Sequence, residues 1–252
     1  MLHTTRTGNG PPLILLHPVG LSSVFWPVLV ERMKGSRTVI AVDTSGHGSS
    51  PDAARPGRMV DRVTELISLM ESLEIRSADI LGVSFGGMIA MQLALARPDL
   101  VRSLILAACP PEIPEAGREG ILERGRAAET GGMAAVLDDT LTRWFTPSFM
   151  STDAVARIRD RLLQNDPSNW AAAWEAVAEH DALDRLKTVR APTLVVAGEA
   201  DAATPLAAKH AIANAIPDSR LEILAGAPHM LQIERADDFA DLVSGFLAGL
   251  ES

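Results

Sequence analysis

The sequence predicts a doubly wound α/β fold, with a mostly parallel sheet interrupted by an inserted helical lid, and three features of its 252 residues carry that prediction. First, short apolar runs recur at Leu13 to His17, Thr38 to Val42, Ala78 to Val83, Ser103 to Ala108, Thr193 to Ala197 and Leu221 to Leu224. Runs this short and this uniformly apolar suit strands buried on both faces. Second, amphipathic stretches such as Val60 to Leu73 and Met88 to Ala96 separate several of them. Alternation of strand and helix gives parallel pairing with right-handed crossovers. Third, the strand rhythm stops at Pro110 and resumes only after Ala191-Pro192. The expected organisation is one domain with an insertion: residues 1–109 and 191–252 form the core, and residues 110–190 form the helical lid.

The closing stretch, Asp237 to Leu250, places Phe239, Leu242, Val243, Phe246 and Leu247 on one helical face, which should pack on the sheet. The lid's alanine richness needs no function, because alanine is the best helix former. Its tryptophans, Trp144, Trp170 and Trp174, either fill the lid's own small core or wall a pocket beneath it. Core packing is the expectation for Trp170 and Trp174.

With 47% hydrophobic and 22% charged residues, the chain can bury a core large enough to offset the entropy lost on folding. A net charge of -9 disfavours nucleic acid phosphates and anionic membranes, leaving a small-molecule substrate as the expected partner. The lone cysteine, Cys109, permits no internal disulfide and ends an apolar run, where it reads as a small buried hydrophobe. The opening MLHTTRTGNGPP lacks an apolar signal core, and no apolar run reaches membrane-spanning length, so a cytoplasmic location is expected.

Gly82-Val83-Ser84-Phe85-Gly86-Gly87 closes an apolar run and opens a helical one. A nucleophile elbow needs this strand-turn-helix context, and its tight turn crowds the positions two residues either side of the nucleophile, which favours glycine there. Ser84 is the candidate nucleophile. A serine hydroxyl near neutrality needs a neighbouring base, and His229, in the Gly-Pro loop after the last apolar run, supplies one at the same edge of a parallel sheet. The base in turn needs a carboxylate to fix its tautomer, and Asp201 follows the run Thr193 to Ala197, with Glu199 as its local rival. The order Ser84, Asp201, His229 is the order in which a triad is laid out on such a sheet.

Two backbone amides are expected to face a developing oxyanion: that of Phe85, and that of Val19 in His17-Pro18-Val19-Gly20, where Pro18 has no N–H. His17 reads as a brace for that loop. His3, His47, His180 and His210 read as surface, turn or helix residues. There is no Walker lysine motif, no GxGxxG fingerprint and no histidine or cysteine spacing typical of zinc, so no cofactor is implied.

Together, HPVG from His17, DTSGHGSS from Asp43, GVSFGG from Gly82, GEADAATP from Gly198 and PHMLQIE from Pro228 resemble the α/β-hydrolase superfamily along nearly the whole chain. Within it, GGMAAVLDDTLTRWFTPSF from Gly131 and LLQNDPSNWAAAWEAVAEHD from Leu162 are most similar to the 3-oxoadipate enol-lactonases. The resemblance implies the α/β-hydrolase fold, hydrolysis of a lactone in aromatic-compound catabolism, and a lid residue, Trp144, facing the substrate. Three positions depart from that family: Ser45 replaces a usual arginine, Phe85 replaces a common methionine in the expected pocket lining, and the N-terminus is short for a first strand. A lactone carrying a carboxylate would want a cation nearby, with Arg124, Arg126 and Arg143 as candidates. One elbow can also serve perhydrolysis or carbon-carbon bond cleavage, and a lidded pocket without chemistry would be a receptor.

Overall fold

The computed structural model describes residues 1–251. Strands β1 (Thr4–Thr7), β2 (Pro12–Leu16), β3 (Thr38–Val42), β4 (Ala78–Val83), β5 (Val101–Ala107), β6 (Thr193–Gly198) and β7 (Arg220–Leu224) form one sheet in the order β1-β3-β2-β4-β5-β6-β7. All neighbours pair in parallel except β1, which runs antiparallel to β3. The short N-terminus therefore still supplies an edge strand. Its sequence, TTRT, has no apolar pattern because it is mostly exposed and held by backbone pairing. At the opposite edge β7 is only half-buried, so its apolar run does not mark a strand covered on both faces.

The helices are α1 (Pro27–Met33), α2 (Met59–Ser72), α3 (Phe85–Ala96), α4 (Glu115–Gly131), α5 (Ala134–Trp144), α6 (Asp153–Leu163), α7 (Pro167–Ala178), α8 (Leu206–Ala215), α9 (Leu231–Glu234) and α10 (Ala236–Gly249). Successive strand residues point to opposite faces, and the core divides accordingly. Leu13, Leu15, Leu81 and Val83 pack with Leu29 of α1 and with Phe239, Val243 and Leu247 of α10. Ile14, Leu16, Ile80 and Leu104 pack with α2, α3 and the four helices α4 to α7, which are inserted between β5 and β6. At the start of β4, buried Asp79 accepts from Arg37 Nε at 3.1 Å, Arg102 Nε at 2.8 Å and Ser103 Oγ at 2.7 Å, a structural carboxylate far along the strand from Ser84.

Strand order reverses between β2 and β4, because β2 is followed outward by β3 while β4 is followed the other way by β5. In open α/β sheets the crevice at the carboxyl ends of two such strands is where ligands bind. The loop carrying Val19 leaves β2 there, and Ser84 leaves β4 beside it.

Candidate active site

Ser84 sits between β4 and α3 with φ 54° and ψ −115°, a region a non-glycine residue adopts only under constraint from its surroundings. The constraint is visible: its amide donates to Ala107 O at 2.8 Å, and its carbonyl accepts from Met88 N at 3.1 Å. A Cβ at Gly82 would lie 2.1 Å from Gly86 O, and one at Gly86 would lie 2.0 Å from Leu16 O of the neighbouring strand. No side chain fits at either position, which is the close backbone approach the turn requires.

Asp201 follows β6 and His229 follows β7, so both reach the edge on which Ser84 stands. His229 Nδ1 lies 3.0 Å from Asp201 Oδ1, and Nε2 lies 3.0 Å from Ser84 Oγ. Burial opposes charge on Asp201, yet His229 beside it and Lys209, by charge and hydrogen bond, hold its carboxyl far below the usual range. An ionised Asp201 has no proton to give, so the imidazole donates from Nδ1 and keeps Nε2 to accept from the hydroxyl. The three predicted side chains are thus joined in one hydrogen-bonded chain. Glu199, the local rival, instead accepts from Gly226 N at 2.8 Å.

Among the described residues neither the Val19 nor the Phe85 amide has a hydrogen-bond acceptor. Phe85 opens α3, where first-turn amides have no intrahelical partner. Its side chain does not line the cavity; it is fully buried against His47, with ring centroids 6.2 Å apart. His17 braces the Val19 loop: Nδ1–H donates to Pro18 O at 2.7 Å, and Nε2 accepts from Thr44 N at 3.1 Å. Burial lowers its pKa from 6.5 to about 4, so it is neutral near pH 7. His47 and His180, expected as surface, turn or helix residues, are buried as well. Ser45 receives a hydrogen bond from the buried guanidinium of Arg62, so α2 supplies a cation at this turn.

The chain of three opens into a cavity of about 770 Å³ roofed by the insertion. Trp144 lines it, and so do Trp170 and Trp174, which the sequence alone assigns to packing. Both do both jobs: the rings meet edge-on at 5.6 Å, and Trp170 Nε1 donates to Arg124 O at 3.1 Å. The roof is tied to the histidine loop, since Met230 N donates to Trp144 O at 3.1 Å and Thr146 N to Glu234 Oε2 at 3.1 Å.

The three lid arginines have different surroundings. Arg126 is exposed, with Nε 3.0 Å from Glu123 Oε2. Arg143 lines the cavity but is held by Asp139 through bonds of 2.9 and 3.1 Å. Arg124 also lines the cavity, half-buried, with its guanidinium 4.9 Å above the Trp174 ring and with no hydrogen-bonded or ion-paired acceptor among the described residues. Lys209 is a residue the sequence reading missed. It is fully buried on α8, with Nζ 2.8 Å from Asp201 Oδ2. Its signal was a lysine on the inward stripe shared with Ile212, where helical periodicity asks for an apolar residue. Among the described residues no cluster of histidine, cysteine or acidic side chains is placed to hold a metal ion, and no helix is long and apolar enough to cross a membrane.

Comparison with known proteins agrees in kind. A family model described as "Alpha/beta hydrolase family" matches residues 13–242. The chain is 30% identical to 3-oxoadipate enol-lactonase 2 of Acinetobacter baylyi over 97% of its own length and 91% of the relative's. It is 29% identical to a pimeloyl-[acyl-carrier protein] methyl ester esterase of Aeromonas hydrophila, covering 96% and 97% of the two chains. Among solved structures, the enol-lactonase from Burkholderia xenovorans LB400 superposes with a TM-score of 0.93 at 31% identity, covering 98% of this chain and 96% of that one.

Proposed function

The chain belongs to the α/β-hydrolase family, and from that premise we propose that it is a serine hydrolase cleaving a small, carboxylate-bearing lactone of the 3-oxoadipate enol-lactone kind. The observation that carries this reading is the Ser84–His229–Asp201 chain, with both contacts at 3.0 Å, opening into the cavity. His229 takes the proton of Ser84 as Oγ attacks the ring carbonyl. The amides of Val19 and Phe85 face the oxyanion of the tetrahedral intermediate, where loss of one donor costs about 100- to 1000-fold in turnover. Collapse breaks the ring C–O bond, and His229 returns its proton to the leaving oxygen. In a lactone that oxygen stays tethered to the acyl group on Ser84. An enol leaving group then tautomerises to a ketone, which removes the nucleophile that would close the ring again. Water, deprotonated by the same histidine, releases the acid.

The insertion acts as a lid whose three tryptophans exclude water, with Trp144 against the substrate. Arg124 is the cation that selects the carboxylate. Desolvation by burial and the like charge of Arg143 both weigh against its charged form, Asp139 offsets them only in part, and an incoming carboxylate would complete its pairing.

A hydrolysis panel tests the substrate reading: enol-lactones, saturated lactones and aryl esters, each with and without a free carboxylate. The carboxylate-bearing enol-lactone should give the highest kcat/KM. Arg124→Met should raise KM about 10- to 100-fold for carboxylate-bearing compounds and leave neutral aryl esters near the native value, as expected for loss of one charged hydrogen-bonding partner. Equal kcat/KM across the panel would remove the enol-lactone assignment while leaving the hydrolase.

A further inference from the structure

Lys209 stands where a helix would ordinarily bury an apolar side chain. On α8 the buried positions are Lys209 and Ile212, so the ammonium lies on the face that packs against the protein. It is fully buried, as is the side chain of Asp201 beside it. An ammonium removed from water is tolerated only where every N–H has an acceptor and the charge has a counter-ion. Both conditions hold. Its three donors reach Asp201 Oδ2 at 2.8 Å, Thr204 O at 2.5 Å and Thr204 Oγ1. Asp201 is its only ion-pair partner among the described residues.

The carboxylate is divided between two tasks. Oδ1 accepts from His229 Nδ1 at 3.0 Å and from the amides of Ala203 and Thr204, each at 2.9 Å. Oδ2 accepts from Lys209 and from Thr204 Oγ1 at 2.6 Å. Two cationic partners would therefore share one negative charge whenever His229 is protonated. In a triad without such a lysine, the aspartate's full charge is available to the imidazolium.

We propose that Lys209 is a positioning residue for the hydrolytic chain: it pins Oδ2, turns Oδ1 onto His229, and draws on part of the carboxylate charge that faces the imidazole. This rests on the reading of Ser84, His229 and Asp201 as the hydrolytic chain. The sign follows from charge alone. A fixed positive charge near an imidazole disfavours its protonation, so removing Lys209 favours protonation and moves the acid limb of the rate profile to higher pH. The other charged groups of the cavity wall and the histidine loop are Glu112, Glu123, Arg124, Asp139 and Arg143 on the cavity wall, Glu234 on α9, and Glu199 on Gly226 N, and the substitution changes none of them. The neighbouring Cys109 thiol, pushed up to about 12 chiefly by burial, adds no charge.

The test is the pH dependence of kcat/KM for a neutral aryl ester in the native protein, Lys209→Met and Lys209→Gln, with thermal melts to establish folding. Glutamine keeps hydrogen-bond donors to Asp201 and Thr204 but carries no charge. The proposal predicts that the acid limb moves up by about one pH unit in both variants, the direction and scale expected for one nearby charge. A limb that stays at the native pH in a folded variant, with only the plateau lowered in the methionine variant and restored in the glutamine variant, would make Lys209 a staple for the 201–205 loop and overturn the proposal. Failure of both variants to fold would assign it to the scaffold with the same consequence. Serine-directed phosphonate labelling of the native protein at Ser84 separates this outcome from failure of the triad reading itself.

Discussion

Ser84→Ala should fold as the native protein does and lose turnover by about four to six orders of magnitude, the range seen when a triad nucleophile is removed and only oxyanion donors and binding remain. The folded state gives no reason for a stability change. The side chain of Ser84 makes one hydrogen bond, to His229, and alanine meets the same backbone strain at φ 54° without added bulk. Steady-state kcat on an aryl ester, with a thermal melt beside it, checks both halves. Turnover within tenfold of native would contradict the assignment of Ser84.

Asp201→Asn should differ from that variant by losing stability as well as activity. Turnover should fall by about 10⁴, because an asparagine can present its N–H₂ to Nδ1 and leave the wrong imidazole nitrogen protonated. Stability should fall by about 3–5 kcal/mol, because Lys209 is left as a buried cation with no counter-ion. At this chain length that is roughly 6–20 °C in melting temperature. A double variant, Asp201→Asn with Lys209→Met, should regain much of the stability and none of the turnover. Calorimetry on the four proteins of this cycle measures the coupling; additive losses would mean that the two side chains do not share a charge pair.

The elbow could be read from the sequence because its physics is local. Gly82 is required by its close approach to Gly86 O within the same turn, and the apolar run before Ser84 and the helical run after it are equally local; Gly86 answers to Leu16 O of β2 but falls inside the same short sequence pattern. The sheet's parallel strands could be read for the same reason. β1 could not, because a TTRT edge strand is held by backbone pairing to β3 rather than by burying side chains. Trp170 and Trp174 illustrate a different limit: one large ring can complete the packing of a helix pair on one side and wall a cavity on the other, and periodicity cannot separate the two.

The arginines held a signal that went unused. Arg143 has Asp139 four residues before it and Arg126 has Glu123 three before, so both can pair along their helices, whereas the positions three and four residues from Arg124 are Gly120, Ile121, Ala127 and Ala128. Lys209 was hidden because its partner lies across a loop, although a lysine on an apolar stripe is the kind of local inconsistency that marks functional sites.

Everything chemical here depends on one hydroxyl being activated by the imidazole 3.0 Å away. The most direct measurement is mass spectrometry of the protein after treatment with a serine-directed phosphonate, with proteolysis to locate the adduct. A single adduct is expected on the peptide carrying Ser84, absent in Ser84→Ala and formed far more slowly in His229→Ala. An unlabelled native protein, or an adduct that forms equally in Ser84→Ala, would contradict it.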